Sequence, residues 1–524
     1  MINHVVIVGG GTSGWMAAIA LSSHFPEKKI TVIDPTAISP IGVGESVTGA
    51  VQQFVQYQPH DLDLADFYRS CDATPKVGIW YKNWRCAGDE YLTPVDSPHK
   101  FFQHNYYEDV ENFYALAISD GQRIGEIQTH GKLMRAGKTD YVRQPDGTIS
   151  GELSMASCHF DALKFASWLK AKSATRAQIT HIDDVVDRFE QDETGFVTKI
   201  HTQGGREIEG DFFIDCTGFR RLLFAKAYAP KWTDLTAHLK VDSAIPSPVP
   251  YQPEQDIPVY TMATAMPNGW MWQVPTQSRL GTGYVFSSKY VDDEQAIAEA
   301  REAGLAIKDD PTIIRFQPGK FESQWQGNVC AIGLAGGFLE PLEATTIHIM
   351  HVQIKVLTEL FLPFFRRESA QPLSRKFNKM MEIMYGDYVD FVSFHYHSGR
   401  SDTEFWRDYQ KDESITEANL LRREKWAHSF PAREDFAGDF THRVFLTSGI
   451  VVWMPMLCGL GLLDRQHARI QLANTKFMDR AVQNATEYVR VSDFVLQNAL
   501  TSNEAIRYLR GEWDQGPVYV GAGM

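Results

Sequence analysis

Short apolar runs that end in glycine punctuate the first two thirds of the chain. Val5-Val6-Ile7-Val8 is continuously apolar, as expected of a strand buried on both faces. It meets Gly9-Gly10-Gly11-Thr12-Ser13-Gly14, and Trp15 to Leu21 then has helical character. Ile30-Thr31-Val32-Ile33 predicts a second strand ending at Asp34, so residues 1–40 read as a β–turn–α–β unit. Phe212-Phe213-Ile214-Asp215 runs into Cys216-Thr217-Gly218, and Val329-Cys330-Ala331-Ile332 runs into Gly333-Leu334-Ala335-Gly336-Gly337. The spread of these strands predicts one nucleotide-binding sheet interrupted by long insertions.

Residues 232–290, rich in Thr, Val, Tyr and Pro, predict a mostly antiparallel sheet layer. Residues 291–305 read as one charged helix. From about 350 the pattern turns helical, over Gln353–Phe365, Arg375–Tyr385, Thr416–Trp426 and Arg465–Leu500, with aromatic residues crowded between Tyr385 and Trp406. The expected organisation is an α/β Rossmann-like core over 1–350, with an inserted substrate-side sheet near 60–150 and 230–320. A mainly helical substrate-binding lobe over 351–524 packs on that core.

Composition narrows the field. The 524 residues are 44% hydrophobic and 22% charged, ordinary for a globular protein. The formal net charge of −14 argues against a nucleic-acid partner, because an acidic surface repels phosphate backbones. Six isolated cysteines, with no CxxC pair, read as reduced thiols in a cytoplasmic protein. The apolar run of MINHVVIVGGG is too short for a secretory segment. Val444 to Leu463 is twenty residues without a charge, but Pro455 and three glycines interrupt it, so a buried wall beside an apolar cavity is expected rather than a membrane span. His348, His351, His395 and His397 lack the spacing of a metal site, and none is expected.

Gly9-x-Gly11-x-x-Gly14 follows a strand and opens a helix, and Asp34 lies twenty residues past Gly14. The first glycine permits a tight turn, the second lets backbone approach a pyrophosphate, and the third allows close helix–strand packing. The helix N-terminus is positive toward the phosphates, and Asp34 can accept from a ribose. This motif does not separate FAD from NAD. The strand ends at Asp215–Gly218 and Ile332–Gly337 resemble the later fingerprints of flavin hydroxylases, which favours FAD. No second dinucleotide fingerprint is present, so reducing equivalents are expected from elsewhere.

Several further segments resemble one family, the flavin-dependent tryptophan halogenases. Gly42-Val43-Gly44-Glu45-Ser46 is similar to their GVGE(A/S) turn. Gly269-Trp270-Met271-Trp272-Gln273-Val274-Pro275 is similar to their WxWxIP signature, with Val274 in place of Ile. Lys76 to Trp84 resembles the segment carrying their active-site lysine. Ser157 to Ala162 and Asp215 to Arg220 also resemble family segments. Glu340-Pro341-Leu342-Glu343-Ala344-Thr345-Thr346-Ile347 is similar to EPLESTGI, with Ala344 where the family has Ser and Thr346 where it has Gly. The resemblance runs through residues 1–410 in order and implies a GR2-type flavin monooxygenase core.

The resemblance also implies roles. FAD contacts would come from Gly9, Gly11, Thr12, Ser13, Gly14, Asp34, Ile41, Glu45, Ser46, Val185, Leu334 and Ile347. Reduced FAD, supplied by a separate flavin reductase as diffusing FADH2, would use O2 and chloride or bromide to form hypohalous acid. Thr345 and Thr346 match the halide positions. The acid would be relayed to Lys76, which holds it by hydrogen bond or becomes a haloamine. Both roles need a desolvated lysine, whose pKa falls. Glu343 would orient the oxidant or take the proton of the cationic arene intermediate, and its small apolar neighbours predict burial. Trp270 and Trp272, on one face of a strand, would wall substrate off from flavin; plain core packing is the alternative for them. Phe101, Phe102, His104, Val451, Trp453 and Met454 are candidate substrate walls. The uncharged stretch Val444–Leu463 suits a neutral arene such as indole better than free tryptophan. An aromatic flavin hydroxylase and a non-catalytic FAD-binding protein are the competing readings. The oligomeric state is open, a homodimer included.

Overall fold

The computed structural model describes residues 2–37, 45–47, 49–96, 107–151, 157–251, 256–436, 449–474 and 478–513. Ile41, Phe101, Phe102 and His104 lie outside these residues, as does most of the Gly42–Ser46 turn. Contacts divide the chain into two units. The first contains 1–72, 160–239 and 316–386, and the second contains 73–159, 240–315 and 387–524.

In the first unit, a six-stranded sheet has the order Ile179–Ile182, Lys29–Ile33, His4–Val8, Phe212–Asp215, Val329–Ala331 and Trp325–Gln326. Its first five strands are parallel, and only Trp325–Gln326 runs antiparallel. The apolar runs read from the sequence are thus central strands of one sheet, although they come from distant parts of the chain. The reason is two-sided burial: Val5, Val6, Ile7 and Val8 are all buried, and each such side chain contributes about 1.5–3 kcal/mol on leaving water. Helix Thr12–His24 follows the first strand and buries Gly14 through Ser22. Trp325, fully buried, packs edge-on against Phe212, Phe361 and Phe377.

In the second unit, the main sheet has the order Ile314–Arg315, Ser243–Pro246, Arg279–Phe286, Gly269–Pro275, Tyr260–Met266, Gly78–Lys82 and Glu90–Pro94, and Val249–Pro250 also pairs with Arg279–Phe286. The antiparallel expectation holds for most of it. The exception is the parallel pairing of Tyr260–Thr264 with Gly78–Lys82, two segments far apart in sequence that no local pattern links. Trp232–Asp234, at the start of the predicted layer, belongs instead to the first unit, paired with Gly319–Phe321. The buried rings of Tyr81, Tyr91 and His395 stack in this unit, with centroids 4.7 and 4.9 Å from Tyr81.

The helices differ from the pattern mainly at their ends. Asp292 caps Asp293–Glu302, and Thr416 caps Glu417–Trp426, through hydroxyl or carboxylate oxygens that accept first-turn N–H groups. The predicted Gln353–Phe365 is the tail of Thr345–Val356, which continues as a π turn over Leu357–Phe361 and a 3-10 turn over Leu362–Phe364, where Pro363 lacks an N–H. Arg375–Tyr385 lies inside one 25-residue helix, Ala370–Phe394. Arg465–Leu500 is two helices, Arg465–Asn474 and Met478–Asn498. Among the described residues no helix is long and apolar enough to cross a membrane.

Candidate active site

The glycine turn is built as its spacing requires. Gly9 has φ +103° and packs so closely that a Cβ there would lie 2.4 Å from the Cys216 carbonyl oxygen. Gly11 stands at the N-cap of Thr12–His24 with no side-chain cap, and that helix has no acidic residue in its first turn. Its first N–H groups are thus left for an anion, with the positive helix end behind them. Asp34 accepts from the Gly10 N–H at 3.1 Å, while its other oxygen faces Lys170 Nζ at 3.6 Å. The acid read as a ribose acceptor therefore also braces the phosphate turn. Thr12 and Ser13 are half-buried. Gly333, at φ +66°, brings the later strand end against Ser13: a Cβ there would lie 3.3 Å from Ser13 Cβ. These residues fit a dinucleotide pyrophosphate.

Two side chains that sequence reasoning missed hold this region. Asp215 is fully buried and accepts four hydrogen bonds, from the Thr217 N–H and hydroxyl and from the Leu223 and Phe224 N–H groups. Its role is to shape the turn. Gln353 accepts from the Gly333 N–H at 2.9 Å and donates to Gln324 at 2.7 Å. Val185 has both main-chain groups engaged, its N–H by Asp184 and its carbonyl by Gln203. Glu45–Val47 forms a short strand, with Ser46 buried. Leu334 is half-buried in a 3-10 turn.

The Glu340–Ile347 segment is distorted. Glu343 (φ 63°) and Ala344 (φ 54°) both adopt left-handed conformations, an unusual cost for two adjacent non-glycine residues. The carboxylate buried here is Glu340, wholly inaccessible; Glu343 is only half-buried, which corrects the expectation that its neighbours enclose it. Thr345 then begins the helix Thr345–Val356, with no side-chain cap. Its hydroxyl is buried and makes no hydrogen bond among the described residues. An uncapped helix N-terminus with an unsatisfied buried hydroxyl suits a small anion. Thr346 is half-buried and Ile347 is buried.

In the second unit Lys76 follows the short strand Thr74–Pro75, which pairs with Cys158–Phe160. Its N–H donates to the Ser157 carbonyl at 3.0 Å. Only 4% of Lys76 is exposed, far less than a surface lysine shows. The same enclosure pushes the Cys158 thiol up to about 12, and burial, together with the Lys76 charge, pushes His159 well below the usual histidine range. Trp270 and Trp272 lie on Gly269–Pro275, with ring centroids 6.5 Å apart. Their cross-strand partners are small or slim: Ala265 and Val285 for Trp270, Ala263 and Gly283 for Trp272. Gly283 is required, since a Cβ there would lie 2.0 Å from the Trp272 ring.

Of the expected wall residues, Val451, Trp453 and Met454 lie on helix Ile450–Gly459, which spans Pro455. Trp453 is buried among Phe391, Phe394, Trp426 and Phe436, and Arg422 lies over its ring. Met454 is fully buried and Val451 half-buried.

The parallel sheet, the glycine turn and the later strand ends define a flavin-binding α/β enzyme. The tryptophan halogenase family model matches residues 4–475. Tryptophan 7-halogenase RebH of Lentzea aerocolonigenes is 30% identical over 483 residues, covering 88% of this chain and 90% of that protein. The crystal structure of a tryptophan halogenase from Shewanella frigidimarina NCIMB 400 superposes with a TM-score of 0.87 at 26% identity, covering 97% of this chain and 98% of that one. BrvH, a flavin-dependent halogenase from Brevundimonas sp. BAL3, gives 0.80 at 29% identity over 97% of this chain and 99% of its own. The chain belongs to the tryptophan halogenase family. Flavin and halide use come with that membership, and the enzyme class is that of flavin-dependent halogenation.

Proposed function

We propose that this enzyme halogenates a neutral, electron-rich arene of the indole type, with Lys76 delivering the halogen and Glu343 receiving the displaced proton. Bound as FADH2 from a separate reductase, the flavin supplies O2 activation, which turns chloride or bromide into hypohalous acid. The observation that carries the reading is the burial of Lys76, a cationic side chain enclosed beside Cys158 and His159 where a surface lysine would be solvated.

The Lys76 ammonium donates a hydrogen bond to the oxygen of hypohalous acid and so raises the electrophilicity of the halogen. The arene carbon attacks the halogen, the O–X bond breaks, and the departing hydroxide takes the Lys76 proton to leave as water. Glu343 removes the ring proton, acting as the general base. Loss of the Glu343 proton and regain of a proton by Lys76, both exchanged with water, restore each side chain. Thr345 and Thr346, at the uncapped helix start, hold the halide. Trp270 and Trp272 keep the arene from direct oxygen transfer.

An uncharged arene is supported by the helix Ile450–Gly459, which has no charged side chain to pair with an amino acid's ammonium or carboxylate. The test is an arene panel with FAD, a flavin reductase, O2 and bromide, read by mass spectrometry. Addition of bromine to indole, with weaker turnover of free tryptophan, is expected. Addition of oxygen instead, or a strong preference for tryptophan, overturns the reading.

A further inference from the structure

A hydrogen-bonded chain ties the strand before Lys76 to the strand that carries the two tryptophans. Thr74 Oγ1 donates to the Pro275 carbonyl at 2.7 Å. It also lies 3.1 Å from His159 Nδ1, and His159 Nε2 lies 3.0 Å from Thr261 Oγ1. Thr74 and His159 are wholly buried, and Thr261 is nearly so. Pro275 ends the Gly269–Pro275 strand, and Thr261 lies on Tyr260–Met266 beside it. His159 is the direct ladder partner of Thr74, and the Lys76 N–H bonds Ser157, two residues before His159.

Counting protons sets the tautomer. A carbonyl only accepts, so the single hydroxyl proton of Thr74 goes to Pro275. Thr74 Oγ1 then accepts from His159, and Nδ1 must carry hydrogen. A second proton on Nε2 would place a cation in a dry site beside the Lys76 charge, at the full cost of desolvation and repulsion. Nε2 therefore stays bare and accepts from the Thr261 hydroxyl. The imidazole is a neutral bracket, with one nitrogen on each of two strands.

We propose that His159 is a positioning residue for Lys76: its neutral ring, braced by Thr74 and Thr261, fixes where the lysine side chain stands relative to the Trp270–Pro275 strand. The inference rests on the reading that Lys76 delivers the halogen. It assigns a task to a residue that has none in the chemistry itself. Loosening the bracket leaves hypohalous acid production intact and lets the acid escape capture by Lys76.

The experiment compares wild type with His159→Phe, His159→Asn, Thr261→Val and Lys76→Ala in the holoenzyme with FAD, a reductase, O2 and bromide. Two products are read together: brominated indole, and bromination of a dissolved hypohalite scavenger. Acetic anhydride labelling of Lys76 in the flavin-free protein, read by peptide mass spectrometry, reports the exposure of the amine independently. His159→Phe is expected to lower indole bromination at least tenfold, raise scavenger bromination correspondingly and speed labelling. His159→Asn, which keeps a donor toward Thr74, recovers part of the loss. Thr261→Val, which nearly preserves shape, shifts the partition the same way and serves if His159→Phe does not fold. General destabilisation lowers both products together and does not redistribute them. Wild-type partition and labelling in both the His159→Phe and Thr261→Val variants, with Lys76→Ala inactive on indole, overturns the inference alone. Full indole bromination by Lys76→Ala overturns the proposed function itself.

Discussion

Gly10 donates its N–H to Asp34 at 3.1 Å, and a Cβ built on Gly10 would lie 2.2 Å from the Asp34 carboxylate carbon. The first dinucleotide turn is thus closed by an acid from the end of the second strand, with no room between them. Gly10→Ala must push Asp34 away and lose this bond. FAD affinity is expected to fall at least tenfold, measured by quenching of flavin fluorescence.

Trp272 and Gly283 are similarly matched. Gly283→Ala would overlap the indole, 2.0 Å from the new Cβ. Overpacking of this kind typically costs about 1–3 kcal/mol, which urea unfolding measures. A displaced Trp272 should also raise the hydroxylated share of arene product if the tryptophans keep substrate from flavin.

Two carboxylates three residues apart are set for different work. Glu340 is wholly buried, whereas Glu343 is half-buried at a left-handed turn. Glu343→Gln is expected to cut halogenation by roughly 10²-fold, within the range for removal of a general base, and to leave thermal stability nearly unchanged. Glu340→Ala should act on stability, by about 1–3 kcal/mol, by removing a buried polar partner. Steady-state kinetics and thermal unfolding of both variants separate the two.

Thr345 combines a buried hydroxyl, without a hydrogen bond among the described residues, with the first position of a helix that has no side-chain cap. Thr345→Val removes the hydroxyl at nearly constant volume. Stability should hold or rise, because an unmet polar group leaves the interior. The KM for halide should rise several-fold, measured with bromide titrations at saturating arene.

Three histidines of the first unit give a pH dependence. Burial lowers His60 and His348 to about 4 and His351 to about 3. Each is neutral in the fold, while its unfolded form takes a proton below about pH 6.5. Their contribution is therefore complete above pH 6.5 and is lost as pH falls toward 4 and then 3. Each histidine adds a slope of up to about 1.4 kcal/mol per pH unit in that window. Denaturant unfolding between pH 7 and 4 should show the fall, and His348→Gln should flatten it by about one proton.

The dinucleotide turn was legible in the sequence because its determinants are local. Glycines at fixed spacing, a strand before them, a helix after them and an acid at the next strand end depend on few distant residues. The continuous apolar runs likewise announced central strands, since burial on both faces removes alternation. Burial of an individual polar side chain was not legible. Lys76 and Glu343 have similar flanks of small and apolar residues, yet the lysine is enclosed and the acid is only half-buried. Enclosure is decided by what the fold packs around each side chain, much of it from distant parts of the chain.

The chain alone determined its family resemblance, its nucleotide turn and the class of chemistry, all carried by contiguous motifs. Tertiary structure decided the parallel join of Tyr260–Thr264 to Gly78–Lys82 and the splitting of the predicted helices. It also decided the bracket around His159. The physical reason is that hydrogen-bond partners and dry surroundings come from whatever the fold brings near, and spacing along the chain carries no record of that.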